Sequence, residues 1–349
     1  SNIRSYRIMG ITVFPTPTSS SGGGYNQKLP TIQMGNVVAN STATCLWTPQ
    51  YSGCVAFHVI GGGGCGAQTF CGGGGGSGGY ARKVLDITTD QCFCIKVGGS
   101  NASTCVCNVT ASPSINIIAY QGCNASGNNG GNGACCPTGG DVNRCGLPGG
   151  NGGSSSNIVA GGAAVDIWGL GLGCGGSAQG SQEGAAGGGG IGGQGGCVYN
   201  ASGTIYARAG GGGGSGGPGS CHNYDIIACK YHAHGGPSAL AVPPGEEKFW
   251  SFVPYWGRGG SNHWMCSDGS SSWRMFSMED PGPGGGGAGG GASNKMAGQH
   301  GDIFGGGGGG LPAGNGGCGA GGGGGNCQNQ QYGIGGSGIV FIEYLSVTT

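Results

Sequence analysis

Hydrophobic positions along this chain come in short β-like runs, each cut off by glycine. In the stretch from Thr44 to Ile60, Val55, Phe57 and Val59 alternate with Ala56, His58 and Ile60, and the run then passes straight into Gly61. Further strands are expected at Tyr6 to Phe14, Tyr80 to Ile87, Cys92 to Val97, Cys105 to Cys107, Ile115 to Tyr120, Asn157 to Trp168, Thr204 to Ala209 and Ile339 to Leu345. Alternation places Phe93, Ile95 and Val97 on one face of their strand and Cys92 and Cys94 on the other. A tight turn at Gly99-Ser100 would set Cys94 opposite Cys105 and Cys92 opposite Cys107, which predicts two cross-strand disulfides.

Between the β-like runs stand uninterrupted glycine tracts: Gly61 to Gly64, Gly72 to Gly76, Gly187 to Gly190, Gly210 to Gly214, Gly284 to Gly287, Gly305 to Gly310 and Gly321 to Gly325. Glycine loses more backbone freedom on ordering than any other residue and has no side chain to bury. What remains to it is one N–H and one C=O, and an extended helix of three residues per turn leaves both unpaired internally. Ordered tracts must therefore satisfy one another, and the expectation is a compact bundle of short polyglycine II segments. Collagen is excluded, because Gly is 94 of 349 residues, Pro only 15, and no G-X-Y frame persists between tracts. The fold class expected from these residues is all-β, with a polyglycine II helix bundle, stapled by disulfides.

Charge is sparse and balanced. With 13 basic and 13 acidic residues the chain lacks the long-range field of a nucleic-acid binder or a binder of anionic membranes, so neither partner is expected. No apolar run of eighteen residues is present, and neither a membrane span nor an uncleaved leader is expected. A neutral, weakly charged surface favours association and suits a component of an assembly. The 19 cysteines include no C-x-x-C pair, which favours disulfides over metal frameworks, and their odd number leaves at least one thiol unpaired or bonded between chains.

Two segments differ from the rest. Residues 1 to 40 read as an attachment arm toward a neighbour or, equally, as an ordinary edge strand plus loop; residues 41 to 349 form the glycine-rich β domain. Within 237 to 283 four of the six tryptophans gather, and this insertion is either exposed at a tip or packed as a small satellite core. Trp250, Tyr255, Trp256, Trp264 and Trp273, close to Arg258 and Arg274, have the composition of an interface hot spot. His232 and His234, two apart on an expected strand, could share a metal ion, and a surface histidine pair is the plainer reading. Gly75 to Gly79 and Gly213 to Gly217 match the nucleophile-elbow pattern around Ser77 and Ser215 but lack its strand-to-helix context, so no catalytic residue is assigned.

The order Trp47-Thr48-Pro49, Val55 to Ile60, Gly61 to Gly64, Gly72 to Gly76, Ser77-Gly78-Gly79-Tyr80-Ala81, Ile95-Lys96-Val97-Gly98-Gly99 resembles the glycine-rich domain of tailed-phage tail fibres and related virion proteins. The closing Gly335 to Tyr344 looks like that family's final strand, and the resemblance spans residues 44 to 345. Cysteine-rich versions look like those of marine cyanophages. The resemblance implies a β-sandwich-like frame with glycine-rich loops or polyglycine II helices, in a virion-associated, extracellular, non-enzymatic adhesin, a homotrimer held to other virion proteins through residues 1 to 40. It would contact a host surface receptor such as a glycan; the aromatic insertion at 237 to 283 departs from the family's common pattern and is the surface expected to make that contact. Fibre tips of this kind use His-x-His at an axial metal, which extends to His232 and His234 by resemblance. A decoration protein without receptor binding, and an extracellular ice-binding or matrix protein built on a flat polyglycine bundle, are the alternatives.

Overall fold

A computed structural model of the chain describes residues 11–15, 43–68, 71–110, 114–153, 158–178, 184–198, 210–221, 223–225, 230–238, 257–266, 273–282, 284–290, 297–310, 312–325 and 332–347. Every regular element among them is a strand. They are β1 (Ile11–Pro15), β2 (Ala43–Trp47), β3 (Gly53–Ile60), β4 (Tyr80–Ile87), β5 (Phe93–Val97), β6 (Thr104–Asn108), β7 (Asn116–Ala119) and β8 (Val142–Arg144). There follow β9 (Ile158–Val159), β10 (Gly184–Ala185), β11 (Asn223–Asp225), β12 (Lys230–Ala233), β13 (Ser261–Cys266), β14 (Trp273–Glu279) and β15 (Ile339–Val347).

Two antiparallel sheets form the frame, one in the order β1-β15-β3-β4-β8 and one in the order β2-β5-β6-β7. Between them lies a core of Val55, Phe57, Val59, Phe93, Ile95, Val97, Val106, Ile117, Val340 and Ile342, all buried. Phe57 and Phe93 meet at 5.1 Å between ring centroids, with Trp47 against both. β3 is also buried on its other face, which explains why its pattern is continuously apolar instead of apolar and polar by turns. That second face, with Ile60, Tyr80, Ile339 and Phe341, packs on Val165, Ile167, Trp168, Ile191 and Phe304, which come from turns of the glycine-rich part.

The glycine tracts form the third layer, and their peptide groups bond to one another. In the tract 187–190 the N–H of Gly187 donates to Gly196 (3.0 Å), that of Gly188 to Gly287 (2.8 Å) and that of Gly189 to Gly162 (2.9 Å). Three successive residues thus reach three different neighbours, as a helix of three residues per turn requires, because its N–H groups point about 120° apart. Gly74, Gly75 and Gly76 do the same toward Gly150, Gly322 and Cys123. Approach is close enough to exclude any side chain: a Cβ on Gly188 would lie 2.0 Å from the Gly306 oxygen, and one on Gly75 equally near the Gly64 oxygen.

Two expectations need correction. Cys94 faces Cys107 and Cys105 faces Lys96, so the pairs Cys94–Cys105 and Cys92–Cys107 are not formed, and all four residues carry thiols. The reason is the connecting loop, which runs from Gly98 to Ser103 with Asn101 in the left-handed region (φ 56°), wider than a two-residue turn. It is held open by the first glycine tract: Asn101 N–H donates to Gly63 (2.8 Å), and Gly62 N–H donates to Ala102 (2.9 Å). Among the described residues the bridge that forms joins Cys136 and Cys145. Second, the strand expected over Asn157 to Trp168 is a two-residue parallel ladder of β9 with β10, after which Ala160 to Ala163 joins the bundle. Of the two readings of residues 1 to 40, Ile11–Pro15 matches the edge strand: it lies at the edge of the first sheet, paired with β15 in the same chain. Proline at an edge position costs no ladder bond. The other residues of 1 to 40, and the strand expected at Thr204 to Ala209, lie outside the described residues.

Candidate functional site

The bundle has two unlike ends. At one, its turns cover the sandwich with the Ile191 and Phe304 cluster. At the other, a connected layer of hydrogen bonds marks where the segments stop together. Gly325 N–H donates to Ala67, Gly324 to Ala160, Ala160 to Gly72, Ala186 to Val159, Gly210 to Ala185, Gly289 to Gly210 and Gly290 to Gly309, all at 2.8 to 3.2 Å. Alongside, Ala178 donates to Asn151 and Val198 to Ser177. The connections across 69–70, 154–157, 179–183, 199–209, 291–296 and 326–331 therefore all start and finish at this one end.

A separate antiparallel sheet, β11-β12-β13-β14, continues from the same end. The segment 257–260 runs toward it, with Gly259 donating to Gly236 and Gly212 donating to Gly260, and passes directly into β13. Polar contacts tie the base of this sheet to the bundle. Ser261 Oγ accepts the Gly235 N–H (2.8 Å), and the buried Gln299 donates through Nε2 to the Glu279 carbonyl (3.0 Å) while its Oε1 accepts the Ala288 N–H (3.0 Å). Arg258 and Glu279 form an exposed ion pair at 3.1 Å, worth at most a fraction of a kcal/mol, roughly 0.2–1 by analogy with surface pairs.

Of the candidate recognition residues, Trp264 lies in β13 at the register position of Tyr231 and Met275, and Trp273 lies in β14 opposite Cys266. Trp250, Tyr255 and Trp256 lie outside the described residues. The histidine pair is split: His232 is in β12, whereas His234 follows the end of that strand, exposed, with its N–H on Ser220 Oγ (2.8 Å). The register instead sets His232 opposite His263 of β13. That pairing was hidden from the sequence because it depends on a non-local register. Among the described residues, no group of three or more His, Cys, Asp and Glu is close enough to hold a metal ion.

The two serines of elbow-like pattern are buried in the bundle. Ser77 Oγ accepts the Leu147 N–H (2.8 Å), and Ser215 Oγ donates to the Gly257 carbonyl (2.7 Å). Both hydroxyls replace peptide groups in the packing. Sequence reasoning missed one polar trio. Tyr80 Oη lies 2.9 Å from His58 Nδ1 and Glu343 Oε2 lies 3.4 Å from His58 Nε2, with all three residues buried on the bundle-facing side of β3, β4 and β15. These bonds satisfy polar groups that the interface buries, and the Arg144 guanidinium lies over the Tyr80 ring at 5.6 Å.

No protein-family model matches the chain, and no curated protein matches it in sequence. The functional reading therefore rests on the geometry of the two ends.

Proposed function

We propose that the chain is a non-enzymatic attachment protein of a virion, in which the polyglycine bundle is a rigid support and the end opposite the sandwich contacts the host surface. One observation carries this reading: six of the connections between segments, and the four-stranded sheet holding Trp264 and Trp273, leave the bundle at the same end, whereas the connection across 239–256 starts and finishes at the other, where Gly216 N–H donates to Pro237 and Ser215 N–H to Gly257. Functional contacts concentrate on chain segments presented by a rigid scaffold, and tryptophan supplies large contact area at small entropic cost. Burial of Ser77, Ser215 and the His58 trio supports a role without catalysis. In this reading the sandwich end, with its edge strand β1, faces the particle, and the assembly is a homotrimer.

Purified protein carrying Trp264→Ala and Trp273→Ala, labelled and mixed with a panel of marine cyanobacterial cells, is expected to lose at least tenfold in adsorption while its denaturation midpoint stays that of the wild type. Unchanged adsorption to a cell type that the wild type binds would overturn the assignment of this end.

A second reading has its own observation. Asn129 and Asn132, Pro148 and Asn151, Gln194, and Pro218 stand exposed on segments along one side of the bundle, the first two pairs spaced three residues apart. Ranks of small side chains on a flat face suit an ordered solid such as ice. Thermal hysteresis of the purified protein would favour this reading over attachment, and its absence would remove it.

A further inference from the structure

The same side brings together two thiols 24 residues apart in sequence. Its segments are joined edge to edge: Gly149 donates to Gly131, Gly175 to Pro148, Gly195 to Cys174 and Gly219 to Gln194, at 2.9 to 3.2 Å. One turn further along each parallel segment, Ala178 donates to Asn151 and Val198 to Ser177. Side chains at every third residue consequently form ranks that cross the segments. Asn151 Oδ1 accepts the Gly130 N–H (2.8 Å), and Ser177 Oγ accepts the Asn151 N–H (3.2 Å), so neighbouring members of one rank touch adjacent segments. Continued across the side, that rank reads Asn129, Asn151, Ser177, Cys197, Cys221.

The last two members sit on directly adjoining backbones. A Cβ on Gly196 would lie 2.1 Å from the Ser220 oxygen, and the two segments run parallel, so Cys197 lies beside Cys221 one residue on. Hydrogen-bonded neighbouring chains are about 4.8 Å apart, inside the Cα separation of roughly 4.4–6.8 Å that a disulfide spans. Cys197 is buried and Cys221 is exposed, and both are thiols. Cys197 stands two residues before the connection across 199–209, and Cys221 two residues before the sheet that begins at β11.

We propose that Cys197 and Cys221 are an oxidisable dithiol that closes a disulfide across the two segments when the protein meets a small-molecule disulfide oxidant. The exposed Cys221 thiolate attacks one sulfur of the oxidant, forming a mixed disulfide and releasing one small thiolate. The Cys197 thiolate then attacks the Cys221 sulfur, expelling the second small thiolate. Two protein thiols are oxidised to one disulfide, and one small disulfide is reduced to two thiols that take up the two protons. The bond ties together the bases of two elements at the end of the bundle, and this inference does not depend on what that end binds.

The test is peptide mapping of the folded full-length protein after incubation with oxidised glutathione, with remaining thiols blocked before digestion. The expected result is a Cys197–Cys221 cross-linked peptide, with Cys318, partly buried and with its pKa pushed up to about 12 by loss of solvation, still a thiol. In Cys197→Ser the cross-link disappears and Cys221 carries a stable glutathione adduct. A folded wild-type protein in which Cys197 stays a thiol, or in which Cys221 is linked to another cysteine, would overturn the proposal, and because that reading needs no variant, misfolding of Cys197→Ser leaves it intact.

Discussion

Alanine at Gly188 is expected to unfold the bundle. Overpacking a side-chain core costs about 1–3 kcal/mol, since neighbouring side chains shift to make room. Here the added methyl would stand 2.0 Å from the Gly306 oxygen and 2.5 Å from its carbonyl carbon, and that carbonyl cannot move alone. Gly306 N–H is bonded to Gly189, and Gly188 N–H to Gly287, so displacing one segment breaks bonds to several others. The loss should exceed the roughly 3 kcal/mol at the top of the ordinary range. Gly217→Ala is the control, because its nearest neighbours are the Pro237 ring carbons at 3.3 and 3.4 Å, ordinary or slightly tight contact. It should cost less than about 1 kcal/mol. Denaturant titration followed by circular dichroism separates the two. Equal midpoints for the two variants would mean that the tracts are not packed as described.

Phe341→Ala should have the second-largest effect, about 3–5 kcal/mol, as for other buried aromatic truncations. The ring is fully buried on the face of β15 that meets the bundle, with Phe304 at 5.9 Å and an interplanar angle of 73°. Phe304 itself sits at φ 65°, a conformation that a bulky residue adopts only when its surroundings fix it. Removing Phe341 opens a cavity where sheet and bundle join, and the bundle should then melt separately from the sandwich. Calorimetry that shows one unshifted transition would contradict a shared core.

The sequence made the strands legible where one face is apolar. Phe93, Ile95 and Val97 are buried and Cys94 is less so, as alternation requires. Val55 to Ile60 ran into glycine because β3 ends where the bundle begins. The register between β5 and β6 was not legible, since the loop at Gly98 to Ser103 is shaped by Gly62 and Gly63, which lie far back in the chain. The same cause hid the pairing of His232 with His263 and of Cys197 with Cys221: alternation and threefold spacing assign faces, whereas partners across segments depend on how the segments are stacked. Glycine tracts signalled that they must be paired but carried no information on which tract meets which, because identical residues have no preferred register.

Hydrogen exchange at the tract amides, read residue by residue with NMR on the folded protein, addresses the pairing directly. The N–H groups of Gly74 to Gly76, Gly161 and Gly162, Gly187 to Gly189, Gly306 to Gly308 and Gly321 to Gly323 each donate to another segment, and they should exchange as slowly as the ladder amides of β3 and β15. Exchange of those glycines at the rate of an unstructured chain, with β3 and β15 still protected, would contradict it.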